Sequence, residues 1–212
     1  MCGRFGFNTA KKLIAEVFGL DEGNLPDLPA RYNIAPTLDI PVVRRDGRRK
    51  LDMLRWGWKP GWSKTVLVNA RSESAAEKPT FRKALAERRC IIPASGFYEW
   101  KREKASKQAF WIHRKDDQPL AFAGLWTTEQ DDDGNSREAC LILTTGPNKV
   151  MEPIHDRMPV ILAPDDLDAW LEGTAGFQDL MQPCPAAWLR ADAVGSYVNS
   201  VKHQGPKCLE PV

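Results

Sequence analysis

Apolar and polar positions alternate along the chain with two different periods. Near the N-terminus Leu13, Ile14, Val17 and Phe18 share one face at helical spacing, with Asn8 or Thr9 available as a cap and Gly19 as a stop. A second helix is predicted over residues 77–88, with Phe81, Ala84 and Leu85 turned inward and Arg82, Lys83 and Arg88 outward. Short helices follow at 165–171 and 176–181. Residues 21–30 hold Gly23, Pro26 and Pro29 and read as a loop. Elsewhere the pattern is that of strands. Residues 40–45 and 50–56 flank Asp46-Gly47, a hairpin signal. Short apolar runs stand at 66–68 and 160–162, further strands at 89–93, 96–101, 109–114, 120–127 and 138–145, and a last strand near 197–201. The connections 101–108, 115–119 and 129–137 are short enough for antiparallel hairpins. The fold predicted is α+β: a curved, mostly antiparallel β-sheet or partial barrel flanked by short helices.

Composition narrows this picture. With 212 residues, 42% of them hydrophobic, the chain can bury one core, so a single domain is expected over 1–212 with residues after about 205 as a tail. A net charge of +2 places any affinity for nucleic acid in the arrangement of arginines, not in bulk charge. No signal-like or membrane-length apolar run is present, which predicts a cytoplasmic monomer without a membrane partner. The five cysteines are odd in number and show no CxxC spacing. Neither a disulfide framework nor a zinc site is expected, and no phosphate loop suggests an organic cofactor.

Five stretches carry candidate chemistry. Cys2 follows Met1, and removing Met1 would leave a free α-amine beside a thiol. With ordinary pKa values of about 8 and about 8.5, both nucleophiles have reactive fractions at neutral pH. Such an aminothiol can condense with an aldehyde and close a five-membered thiazolidine; the alternative is a cysteine stranded in a disordered terminus. Glu99 lies within Gly96-Phe97-Tyr98-Glu99-Trp100, where aromatic neighbours raise a carboxyl pKa and suit a proton shuttle; the alternative is a salt-bridged surface glutamate. His155, between Pro153 and Pro159 and beside Asp156 and Arg157, can exchange a proton near neutrality, a setting His113 and His203 lack. Asn69 and Arg71 project on one face of an extended segment and suit an oxyanion or a sugar-phosphate backbone. Finally, Trp56, Trp58 and Trp62 sit among two glycines and a proline, which reads as a stacking platform for bases, although any one of the three could plug the core.

Taken together, Met1-Cys2-Gly3-Arg4-Phe5, Arg31-Tyr32-Asn33-Ile34-Ala35-Pro36, Trp56-Gly57, Asn69-Ala70-Arg71-Ser72-Glu73, Gly96-Phe97-Tyr98-Glu99-Trp100-Lys101 and Ile154-His155-Asp156-Arg157-Met158-Pro159 resemble the SOS-response-associated peptidase family of abasic-site processing proteins. The resemblance runs from residue 1 to about 205. It implies that Met1 is removed and that Cys2 captures the ring-opened aldehyde of an abasic site in single-stranded DNA as a thiazolidine crosslink, with an associated lyase activity. It further implies that Asn69 positions the sugar or the Cys2 amine, Glu99 moves protons, and His155 assists at the sugar oxygen. Arg4, Asn33, Pro36, Trp56, Gly57, Arg71, Ser72 and Arg157 would line the DNA groove, and an indole such as Trp62 would wedge beside the lesion. Ser63 stands where relatives often carry a second tryptophan, which bears on the size of that wedge. Other readings are a thiol peptidase acting through the same Cys2 on its own N-terminus, an N-terminal-nucleophile amidotransferase, and a non-covalent single-strand binder. The amidotransferase lacks a visible partner domain.

Overall fold

The computed structural model describes residues 2–103, 106–131 and 133–212. Met1, Lys104 and Ala105 of the lysine-rich connection, and Asp132 of the Asp-rich one lie outside the described residues. Strands β3 (Asp39–Asp46) and β4 (Arg48–Trp56) form the expected hairpin, with Gly47 at the tip at φ 69°. They share a ring with β6 (Arg89–Ala94), β9 (Leu120–Gln130) and β10 (Ser136–Thr145) in the order β10-β4-β3-β6-β9. Pairing of β9 with β10, from Ser136↔Gln130 to Ile142↔Gly124, closes that ring into a five-stranded barrel. The curved sheet read from the sequence is therefore a closed barrel, and two of its pairings are parallel: β10 runs alongside β4 and alongside the short β5 (Asn69–Arg71). Closure leaves those strands without a free edge.

A second sheet, ordered β12-β8-β7-β1-β2, packs on the barrel. It comprises β1 (Phe5–Phe7), β2 (Arg31–Ile34), β7 (Gly96–Glu103), β8 (Ser106–Arg114) and β12 (Leu189–Val194). Between β6 and β7 the chain passes from barrel to sheet at Ser95 and Gly96. A Cβ on Gly96 would lie 2.5 Å from Trp111 and 2.7 Å from the Ile112 carbonyl, so only glycine permits this crossing. The two layers meet through aromatic edges: Phe5 contacts Trp56 (ring centroids 5.1 Å apart) and Phe122 (6.1 Å), and Phe97 contacts Phe122 (5.9 Å). These rings are buried, and the edge-to-face geometry adds about 0.5–1.5 kcal/mol per pair beyond area burial.

Helices α1 (Lys11–Phe18), α2 (Ser72–Ala75), α3 (Pro79–Glu87) and α4 (Leu167–Glu172) cover the outside. Gly19 ends α1 in a left-handed conformation as expected, and Phe81, Ala84 and Leu85 of α3 are buried as expected. The cap of α1 differs. Ala10 occupies the N-cap position, because the Asn8 backbone N–H donates to Ser95 Oγ and the Thr9 hydroxyl bonds Ser95 Oγ, tying the segment to the barrel crossing instead. Residues 176–181 form a 3-10 turn, Phe177–Leu180. The final strand lies at Leu189–Val194, not near 197–201; Ser196–Asn199 is a 3-10 turn. Residues 206–212 pack against this strand. Pro206–Leu209 turns with Cys208 buried, and Pro211 bridges Val194.

Candidate active site

The N-terminal segment leads into β1, and the Arg4 carbonyl accepts from the Tyr98 backbone N–H (2.9 Å) in the neighbouring strand β7. That register brings Cys2 beside Glu99. Cys2 is fully buried, and Asn69, at the start of β5, donates from Nδ2 to the Cys2 carbonyl (2.9 Å). Burial pushes the Cys2 thiol up, and the nearby Glu99 charge pushes it further, so the resting group is a thiol. Burial likewise raises the Glu99 carboxyl, opposed by His155, as its aromatic neighbours imply; the exposed salt-bridge alternative is excluded, since Glu99 is 4% exposed. His155 Nε2 stands 3.9 Å from Glu99 Oε2, and His155 Nδ1 accepts the Arg157 backbone N–H (3.0 Å). A ring nitrogen that accepts has no proton, so the neutral imidazole carries its proton on Nε2, facing Glu99.

Of these groups, Glu99 and His155 open onto a cleft of about 500 Å³, lined with them by Arg4, Trp100, Lys107 and Asn199. An adjoining depression of about 410 Å³ shares Trp100 and His155 and adds Lys101, Pro153, Ile154 and Asp156. The cleft has basic residues on its rim and an acid on its floor, suited to an anionic ligand that presents a reactive carbon inside. Arg4 lies over Trp100, 5.5 Å from the ring centroid, and Trp100 Nε1 donates to Asn199 Oδ1 (2.7 Å). Trp100 was visible in a sequence motif. Lys107 and Asn199 were not singled out, because nothing in the local pattern announces a contact made across 99 residues.

Several residues expected to line a groove are buried or engaged within the fold. Asn33 is completely buried: Nδ2 faces the carbonyls of Val198 (3.2 Å), Ser200 (2.9 Å) and His203 (2.9 Å), and Oδ1 accepts from Arg4 Nη1 (2.7 Å). It organises the C-terminal turns and aims Arg4. Trp56 is also completely buried, donating from Nε1 to the Val68 carbonyl (3.0 Å), and Trp58 packs edge-to-face on Phe81. The three-indole platform therefore reduces to Trp62, which is 72% exposed. Gly57 serves the backbone: at φ 134° a Cβ would meet Val66 Cγ1 at 2.4 Å. Ser72 is buried at the start of α2. Arg71 is exposed, Pro36 half-buried in the turn after β2, and Arg157 is drawn into a bidentate pair with Glu73 (2.6 and 2.9 Å). The other two histidines are occupied elsewhere: His113 contacts Asp192 (2.9 Å), and His203 stacks on Tyr197. Among the described residues no cluster of metal-ligating side chains is found, and no helix is long and apolar enough to cross a membrane.

A barrel with a flanking sheet brings Cys2 together with an asparagine, a glutamate and a histidine. The SOS response associated peptidase (SRAP) family model matches residues 1–201, and the chain belongs to that family. It is 41% identical to the abasic site processing protein YoqW of Bacillus subtilis, with 99% of each chain covered. It is 34% identical to the abasic site processing protein YedK of Escherichia coli over the whole of both chains. In fold it is similar to a crystal structure of a Bacteroides thetaiotaomicron protein, with a TM-score of 0.84, 23% identity and both chains fully covered.

Proposed function

We propose that this protein processes abasic sites in single-stranded DNA by covalent capture on Cys2 after removal of Met1. The observation that carries the proposal is the grouping of Cys2 and Asn69 with Glu99 and His155, the last two lining a basic-rimmed cleft, in a chain whose full-length relatives are named for abasic site processing. A ring-opened abasic deoxyribose presents an aldehyde. The free Cys2 amine adds to it and water leaves, giving an imine. The thiol then adds across the C=N bond: sulfur bonds the former aldehyde carbon, its proton passes to a base, and the nitrogen gains a proton, closing the thiazolidine. One water is lost in total, with no oxidant or cofactor.

The side chains support each transfer. The buried thiol needs a base, and Glu99, with its affinity for protons raised by burial, lies closer to the thiol in pKa than an exposed carboxylate would. His155 Nε2–H can donate to the sugar oxygen during ring opening. Asn69 holds the Cys2 backbone, so amine and thiol approach one carbon in a fixed order. Arg4 and Lys107 flank the cleft as partners for phosphates, and Trp62 offers an exposed ring for base stacking. If the thiol fails to close, the imine permits β-elimination and strand nicking, which is the origin of an accompanying lyase activity. Single-strand preference follows from a cleft whose chemistry lies on its floor, where a stacked, paired nucleotide does not reach.

The test is a denaturing gel of protein mixed with single-stranded, double-stranded and lesion-free oligonucleotides. A band that survives denaturation with the single-stranded abasic oligonucleotide, and is lost with Cys2→Ala, is expected. Binding that Cys2→Ala leaves intact, without any stable band for the wild type, would replace this reading with non-covalent binding. Cleavage of a leader placed before Cys2, without any DNA adduct, would replace it with peptidase activity.

A further inference from the structure

We infer that Glu73 is a positioning residue that sets the proton arrangement of His155 through Arg157. Glu73 lies in the first turn of α2, four residues beyond Asn69 of β5, whereas His155 and Arg157 lie in the loop before β11 (Met158–Pro159). The carboxylate receives both guanidinium arms of Arg157, Nη1 to Oε1 at 2.6 Å and Nη2 to Oε2 at 2.9 Å. Nη2 also donates to the Thr144 carbonyl in β10 (2.6 Å). Arg157 is thus held at its side chain by two elements, and bidentate geometry of this kind fixes orientation as well as distance. The fixed residue then donates its backbone N–H to His155 Nδ1.

That last contact has a competitor. Asp156 Oδ1 stands 3.0 Å from the same Nδ1. A carboxylate at Nδ1 requires a proton there; the Arg157 N–H requires a lone pair. The two demands are incompatible, so whichever group is better placed decides where the ring carries its proton. The clamp decides for the Arg157 N–H, which leaves the Nε2 proton directed at Glu99 and the cleft. The other charged groups around the ring are Glu99, Arg4 and Lys107 in the cleft and Lys101 in the adjoining depression. Without the clamp, Asp156 draws a proton to Nδ1, and the ring presents to Glu99 either a lone pair at Nε2 or the N–H of a positively charged imidazolium.

The positional claim is independent of the chemistry proposed for the cleft; its consequence for rate rests on that reading. The direct test is a long-range nitrogen–proton spectrum of the imidazoles, which is tractable because the chain has three histidines. In the wild type, His155 is expected to show an accepting Nδ1 and a protonated Nε2. Glu73→Gln removes the charge that holds both guanidinium arms and is expected to move His155 toward the Nδ1-protonated or doubly protonated form, while Glu73→Asp restores the wild-type pattern in part. In parallel, adduct formation on an abasic oligonucleotide by Glu73→Gln is expected to slow about tenfold at neutral pH, a fraction of what a general acid–base contributes, with a displaced pH profile. A melting scan of both variants confirms that the fold is kept, as expected for a side chain that is 54% exposed. An unchanged His155 spectrum in a folded Glu73→Gln protein would overturn the inference. An altered spectrum with no adduct from the wild type would leave it standing and remove the covalent reading instead.

Discussion

Asn33 separates a structural part from a DNA contact. Replacing it with alanine removes a side chain whose two amide hydrogens serve three carbonyls and whose oxygen holds Arg4. Two neutral hydrogen bonds at about 1 kcal/mol each and one to a charged partner at about 1.5–3 kcal/mol sum to roughly 3–5 kcal/mol. The bonds share one network and are not additive, so the loss expected is about 3 kcal/mol. For a chain of this length that is a fall in Tm of roughly 6–12 °C. The assay is thermal denaturation of Asn33→Ala, followed by binding of a lesion-free single strand at a temperature where the variant is folded. A large fall in Tm is expected, with weaker binding only through the misplaced Arg4. If Tm moved by less than about 2 °C while binding was lost, Asn33 would be an exposed contact and its assigned burial wrong.

Three further outcomes follow from the same geometry. Glu99→Gln should abolish rapid adduct closure and yet melt higher than the wild type at neutral pH. The sign is fixed by burial: a carboxyl whose folded pKa is raised holds its proton more tightly when folded, so the wild type loses stability as pH rises above the ordinary carboxylate range, and the advantage of glutamine should vanish in acid. Trp62→Ala should leave Tm within error and weaken single-strand binding by about 1–3 kcal/mol, the worth of one stacked base, as read by fluorescence anisotropy. Trp56→Ala should instead lose about 3–5 kcal/mol of stability, as denaturant titration would report, because its ring fills the junction of barrel and sheet.

The parts legible in the sequence were those whose cause is local. Gly19 ends α1 because it reaches the left-handed region, and Asp46-Gly47 turns a hairpin for the same reason. The aromatic neighbours of Glu99 pointed to a raised carboxyl, but a surface ion pair read equally well from that segment, and the burial itself is set by the fold. Other features depend on contacts far apart in sequence. Barrel closure needs β10 to pair with β9 on one side and to lie parallel to β4 on the other, and no periodicity marks the parallel pairing. Asn33 reads as a polar residue near a proline turn, the composition of a binding loop, yet its partners are carbonyls about 170 residues away. The tryptophans of residues 56–62 divide by the same logic: an indole serves core and surface equally well, and only the Val68 carbonyl and the Phe5 edge decide for Trp56. The last strand was displaced because Leu189–Val194, though it alternates, carries only alanine at two of its inward positions, its pairing with β8 supplying what those side chains do not.

The most direct test of covalent capture is the intact mass of the protein after incubation with a single-stranded oligonucleotide carrying one abasic site, alongside Cys2→Ala and Cys2→Ser. The expected species lacks Met1, weighs one water less than protein plus oligonucleotide, survives heating, and is absent from both variants. A heat-stable adduct that persisted in Cys2→Ala, or no adduct from a wild type that begins at Cys2, would contradict the thiazolidine mechanism.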